Sequence, residues 1–335
     1  MPNGPPVVQS FLTMEDVWET YREDLEEVEA HIRRNLDSEV PLINQMAAHI
    51  FNGGGKRIRP LLLILCARLC GYTNKEDLLL GSLIEFIHTA TLLHDDVLDE
   101  ADLRRGQQTV RRIWGNQASI LVGDYLYSKA MQQIANFHNH SMNEVLSDAC
   151  RKMAEGEILQ LCATNQPLLT EPEYLRIVEY KTGALVAAAC KVGAILGGAP
   201  PAQQMALYRF GLHLGIAFQL ADDRLDYTAN GTQLGKTLGQ DFMQGMVTLP
   251  LLHLLRTATY EERQWIITHL HAPSLDTHIL LELTDLMQQY GSLQYTLARS
   301  RDYINVALLD LEHFDDSPAK RSLAVVADYM VSRER

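Results

Sequence analysis

The stretch 84–106, IEFIHTATLLHDDVLDEADLRRG, limits what this chain can become more than any other. Ile84, Ile87, Thr91 and Leu98 recur at helical spacing, and Leu92, Leu93 and Val97 widen that side into a face fit for burial. The helix then ends in carboxylates. Asp95 and Asp99 stand one turn apart on one face, with Asp96 about 100° round at its border. Crowded carboxylates raise one another's pKa unless a cation joins them. A hard divalent cation such as Mg²⁺ suits oxygen ligands and usually brings phosphate oxygens with it. Arg104 and Arg105 follow at once, and guanidinium forks match phosphate. Acids at a helix C-terminus oppose the macrodipole, so capping does not account for them. A solvated charged face is the competing reading, but such faces do not normally follow so apolar a run. The stretch predicts a metal-bridged diphosphate site at the end of a buried helix.

The pattern occurs twice. The segment LHLGIAFQLADDRLDY sets Asp222, Asp223 and Asp226 at the same spacing after a second apolar run. One DDxxD is a weak signal, whereas two that each end an apolar helix predict two helix ends facing across one cavity. The rest of the chain also reads as helical, rich in Leu, Ala, Gln and Glu with little period-2 alternation. A first helix is predicted over 14–36, capped by Thr13 with Asp16 three residues on, and a second starts at Pro41 and ends at Asn52 and Gly53. Further helices are expected over 75–99, 116–137, 141–162, 173–196 and 205–226, with a loop at 167–172. Gly123 and Asp124 interrupt an apolar face without an evident role.

Cations gather at two more places. In GGGKRIRP, Lys56, Arg57 and Arg59 open a helix, where positive charge is unfavourable unless an anion sits there. Lys181 lies among Ala and other small residues in KTGALVAAAC, where an ammonium needs an anion unless its stem carries it outward. Lys236 lies between glycines in LGKTLG. The whole chain carries a net charge of −13, which argues against nucleic acid as a partner, so an anionic substrate must be held by local cations and metal. Five cysteines without a CxxC pair read as buried free thiols of a reduced, cytoplasmic compartment. No signal peptide and no membrane span are predicted.

GGGKRIRP, IEFIHTATLLHDDVLDEADLRRG, MAEGEILQL, YKTGAL, FQLADDRLDY and QLGKTLGQDF…TLPLL, in this order over 53–252, resemble the all-trans polyprenyl diphosphate synthases, and among them the bacterial octaprenyl type. The resemblance implies an all-α helical bundle around one large central cavity, a single domain over 1–335, and a homodimer. It implies sequential head-to-tail condensation of isopentenyl diphosphate onto an allylic diphosphate, with farnesyl diphosphate as primer and an octaprenyl-class product for a quinone side chain. By the same resemblance Asp95, Asp99 and Asp222 are ligands of about three Mg²⁺ ions, and Asp96, Asp223 and Asp226, which complete the two motifs, belong to the expected metal site with them. Lys56, Arg59, His88 and Arg105 form the isopentenyl diphosphate pocket; Arg104, Lys181, Thr182, Gln219 and Lys236 surround the allylic diphosphate and the developing cation. Ala90 and Thr91, small residues about 6–7.5 Å down the helix from Asp95, leave the passage open for a long tail. Two departures from the family stand out: Met246 where the family has Lys, and Arg224 inside the second motif. A shorter-chain synthase, a class I terpene cyclase, a non-catalytic synthase subunit and, from His94-Asp95, a metal phosphohydrolase are the alternatives.

Overall fold

The sequence LLLILCA, residues 61–67, has no polar face, and a helix built from it must be surrounded. A computed structural model describes residues 12–104, 106–228, 238–270 and 277–332. Among these, only a two-residue hairpin, β1 (Leu103–Arg104) with β2 (Gln107–Gln108), departs from helix, turn and loop. In chain order the helices are α1 (Met14–Thr20), α2 (Arg22–Asn35), α3 (Pro41–Asn52), α4 (Ile58–Leu69), α5 (Glu76–Leu98), α6 (Val110–Trp114), α7 (Asn116–Ala135), α8 (His140–Ala163), α9 (Glu171–Val178), α10 (Ala184–Leu196) and α11 (Pro201–Thr228). After these come α12 (Gln240–Met243), α13 (Leu249–Thr257), α14 (Tyr260–His269), α15 (Thr277–Gln289), α16 (Ser292–Asp310) and α17 (Pro318–Ser332).

α4 is buried through its centre: every residue from Pro60 to Ala67 is buried, and only its ends reach towards the surface. α5, α10 and α17 pack around it; α7 packs on α5, α11 on α10 and α16 on α11. A second apolar cluster, including Tyr174, Phe242, Leu249, Leu251 and Met287, lies under the end of α11. The all-helical expectation is met, and no described helix is long and apolar enough to cross a membrane.

Several boundaries differ from the sequence reading, each for a local reason. The expected helix 14–36 bends at Tyr21, although Tyr21 N still donates to Val17 O and Leu25 N to Tyr21 O. The bend buries the Tyr21 ring under the Arg68 guanidinium. Thr13 and Asp16 form the expected capping box. α9 begins earlier than expected because Thr170 and Glu173 form a second capping box and Pro172 is tolerated in the first turn. The continuous helix expected over 173–196 is interrupted by a π-helical segment, Glu179–Gly183, the kind of one-turn bulge often found at functional sites. Gly156 of α8 explains why the bulge fits: a Cβ there would lie 2.6 Å from Lys181 N. Of the five thiols, Cys66 and Cys190 are buried, Cys70 and Cys150 half-buried and Cys162 exposed, so burial of all five does not hold.

Candidate active site

The C-terminal ends of α5 and α11 open onto one cavity of about 760 Å³, lined on its polar side by Asp95, Asp222, Lys181, Thr182, Gln219 and Glu157. It continues into a space of about 400 Å³ through Arg59, His88 and Phe218, where Lys56 and Tyr329 complete the wall. Through Lys181, Thr182 and Gln219 it also meets a small chamber of about 140 Å³ bordered by Asp99, Asp223, Asp241 and Met246. The apolar side of the large cavity holds Ala90, Thr91, Tyr127, Met153, Leu185 and Phe218.

The six aspartates divide into two sets. Asp96 is buried and accepts from Arg104 Nε at 2.8 Å. Asp223 is buried and accepts from Tyr174 Oη and, at 2.8 Å, from Gln219 Nε2. Asp226 accepts from the Gln240 and Asp241 N–H groups at 3.3 and 3.0 Å, and so receives the N-terminus of α12. The side chains of Asp95 and Asp222 line the large cavity, and that of Asp99 the small chamber. Burial raises the Asp95 carboxyl above its ordinary pKa; Lys181 works against the rise, and Glu157 and Asp99 add to it.

Lys181 sits in this field, its Nζ 2.8 Å from Glu157 Oε1. Burial works to lower its pKa, but Asp95 and Glu157 outweigh burial and the ammonium is held more firmly protonated. The π segment sets Thr182 beside it, and Thr182 Oγ1 donates to Gln219 Oε1 at 2.8 Å. A relay therefore runs from Tyr174 through Asp223 and the Gln219 amide to Thr182. With Gln219 Nε2 committed to Asp223, the amide oxygen points to the Thr182 side of the cavity, where its dipole presents negative charge.

The glycine-gated cluster does not act as one group. Arg57 has φ 48°, turns inward and pairs with both Glu29 and Glu85. A left-handed conformation costs about 1–2 kcal/mol for a residue with a side chain, and the buried pair with Glu85 offsets it. Arg57 is thus a clamp between α2, α4 and α5, while Lys56 and Arg59 line the cavity with His88. Arg105 and Lys236 lie outside the described residues.

The profile of the family described as polyprenyl synthetase matches residues 40–287. The chain belongs to this family. It is 42% identical over 324 residues to the octaprenyl diphosphate synthase of Escherichia coli (strain K12), covering 97% of this chain and 100% of that one. Among solved structures, a decaprenyl diphosphate synthase from Rhodobacter capsulatus superposes with a TM-score of 0.90 at 39% identity, covering 96% of this chain and 99% of that one. A polyprenyl synthase from Caulobacter crescentus, complexed with calcium and isoprenyl diphosphate, does so with 0.92 at 36% identity, covering 98% and 100%.

Within this polyprenyl synthetase, the donor chemistry fits a divalent cation. Asp95, Asp99 and Asp222 offer hard oxygens, and a carboxyl raised by burial and by neighbouring carboxylates is one that a cation would lower again. Among the described residues no three His, Cys, Asp or Glu side chains form a ready-made metal cage, and a cation held here would fill its shell with water or with a ligand's oxygens. Met246 receives Gln160 Nε2 on its sulfur at 3.3 Å. Arg224 is about 200° round the helix from Asp222 and is not among the residues lining these three cavities. His94 is turned towards α7, its Nε2 3.2 Å from Ile120 O and 3.4 Å from Asp124 Oδ1. Gly123 makes room for it, since a Cβ there would lie 2.4 Å from that nitrogen. Sequence reasoning missed Tyr174 and Tyr127, which no polar motif marks, and Phe218, which opens the segment FQLADDRLDY but reads there only as an apolar neighbour of Gln219.

If the relay orients Gln219, Tyr174→Phe removes one hydrogen bond to a charged acceptor and should lower turnover by about tenfold, with the Michaelis constant for isopentenyl diphosphate nearly unchanged. Steady-state kinetics beside a thermal melt checks this, and a variant with wild-type turnover would dismiss the relay.

Proposed function

We propose that this chain is a long-chain all-trans polyprenyl diphosphate synthase that adds isopentenyl diphosphate head-to-tail to an allylic diphosphate, with farnesyl diphosphate as primer and an octaprenyl-class product. The observation that carries the reading is the continuity of the cavity. A cationic end at Lys56, Arg59 and His88 meets an acidic, Lys181-bearing centre, which leads into an apolar extension past Ala90 and Thr91.

In this reading Lys56, Arg59, His88 and Arg105 hold isopentenyl diphosphate. Lys181, Arg104 and Lys236 take the allylic diphosphate, and Asp95, Asp99 and Asp222 hold Mg²⁺ against it. A divalent cation bound there neutralises negative charge as the diphosphate departs. Lys181 donates to the same departing oxygens, and its raised pKa keeps it charged. The Gln219 oxygen and Thr182 face the carbon skeleton, where an acceptor dipole favours developing positive charge. The apolar walls exclude water, which would otherwise capture the cation as an alcohol. The proton lost after the new bond forms passes to the departed diphosphate, which spares the protein a dedicated base. Asp96, Asp223 and Asp226 position the walls through Arg104, Gln219 and α12.

The competing readings leave features unused. A terpene cyclase has no need of the Lys56–Arg59–His88 end, and a metal phosphohydrolase built on His94-Asp95 leaves that end and the second acidic motif unused. Purified protein with Mg²⁺, farnesyl diphosphate and labelled isopentenyl diphosphate should give products spaced by one isoprene unit, resolved by chain length. Asp95→Ala and Asp222→Ala should each lower turnover by on the order of 10²-fold or more; near wild-type rates at saturating Mg²⁺ would overturn the shared site.

Tail length gives a separate check. Ala90 and Thr91 both line the large cavity. Ala90→Phe or Thr91→Phe should shift the main product towards farnesyl or geranylgeranyl length while the first condensation persists. Unchanged long product from both variants would show that the tail takes another path.

A further inference from the structure

We propose that Tyr329 is a positioning residue for the isopentenyl diphosphate pocket, holding the Lys56 ammonium at the cavity mouth with Trp18 as its brace. The proposal rests on the function argued above. Lys56 is exposed, and a lysine stem left alone samples many rotamers. Outside it lies an open depression whose wall includes Glu15 and Glu26, beside Glu19 paired with Arg22 and Glu29 paired with Arg57, so two carboxylates there can draw the ammonium away from the interior. Tyr329 of α17 opposes that pull. Its hydroxyl accepts from Lys56 Nζ, and the ammonium stands beyond the hydroxyl end of the ring, 5.1 Å from its centroid, so the hydrogen bond is what holds it. Trp18 of α1 meets the same ring edge-on, with centroids 5.4 Å apart at 78°. Tyr329 and Met330 themselves line the cavity that holds Arg59 and His88. An ammonium has three donors, so one bond to Tyr329 leaves two for a phosphate. The first and last described helices thereby fix where that cation stands before substrate arrives.

The test is calorimetric binding of isopentenyl diphosphate without divalent metal, on the full chain. Tyr329→Phe and Tyr329→Leu are each made alone and with Lys56→Met, and initial rates are measured alongside. Tyr329→Phe and Tyr329→Leu both remove the hydroxyl that accepts from Lys56, so each should weaken binding by about tenfold. Neither should weaken it further once Lys56 is Met. The Michaelis constant for isopentenyl diphosphate should rise with the dissociation constant, while kcat and the constant for farnesyl diphosphate stay within about twofold. Tyr329→Phe keeps the ring against Trp18, so an unchanged melting temperature separates its effect from misfolding. The proposal is overturned by unchanged binding, by equal losses with and without Lys56, or by a matching fall in kcat with both constants raised. Lys56-dependent binding without chain elongation would sink the synthase reading and leave the bracket standing. No binding by the unaltered protein would remove both.

Discussion

The rest of the structure depends on a repulsion. Two apolar helices end in aspartates that meet in one poorly solvated cavity, where like charges interact far more strongly than in water. The fold relieves half of that repulsion itself. Asp96 is matched by Arg104, Asp223 by two donated hydrogen bonds and Asp226 by the N-terminus of α12. Asp95 is met by the Lys181 ammonium, which holds its carboxyl below where burial alone would put it. Along the same two motifs, then, Asp96, Asp223 and Asp226 tie the walls together, while Asp95, Asp99 and Asp222 face the cavities. The π bulge belongs to the same division. It places Lys181 and Thr182 side by side in the cavity wall, against an α8 that has only a glycine at the point of approach.

One rigid helix links charge and length. α5 carries Asp95 at its end and Ala90 and Thr91 little more than a turn below, all on the cavity. Thr91 Oγ1 donates to His88 O, which satisfies the hydroxyl within the helix and leaves its methyl group for the wall. α5 is buried between α4 and α7, so its register against the cavity cannot drift without disturbing the core. The spacing along the cavity between Asp95 and the small residues Ala90 and Thr91 is therefore set by helix rise alone.

Much of this was legible because it is local. Both acidic helix ends, the Thr13 cap, the start at Pro41 and the helical class follow from spacing and turn chemistry. What stayed hidden depends on partners far along the chain. Arg57 reads as one of three equivalent cations beside glycines, yet Glu29 and Glu85 turn it inward. Tyr174 reads as an ordinary apolar-face residue, yet it meets Asp223 nearly fifty residues on in sequence. The π segment adds one residue to a turn without any proline or glycine pattern that would announce it in advance. Gly123 gave a visible signal, a glycine inside an apolar helix face, but its meaning required His94 to be seen opposite it.

The charge around the small chamber bears on the order of binding. Asp99, Asp223 and Asp241 border it, Lys181 is the cation among its lining residues, and Lys181 already serves Glu157 and Asp95. Met246 adds a soft, neutral sulfur that a Gln160 amide can satisfy, where a lysine would have added positive charge. Arg104 contributes little net charge, being matched by Asp96. An anionic diphosphate approaching these residues alone would meet repulsion, while a divalent cation alone would find no complete shell among the described residues. On the proposed function, a cation and a diphosphate would each offset the other's charge here. Met246 bears on that balance, because a neutral sulfur stands in the chamber wall where a lysine would have added a positive charge.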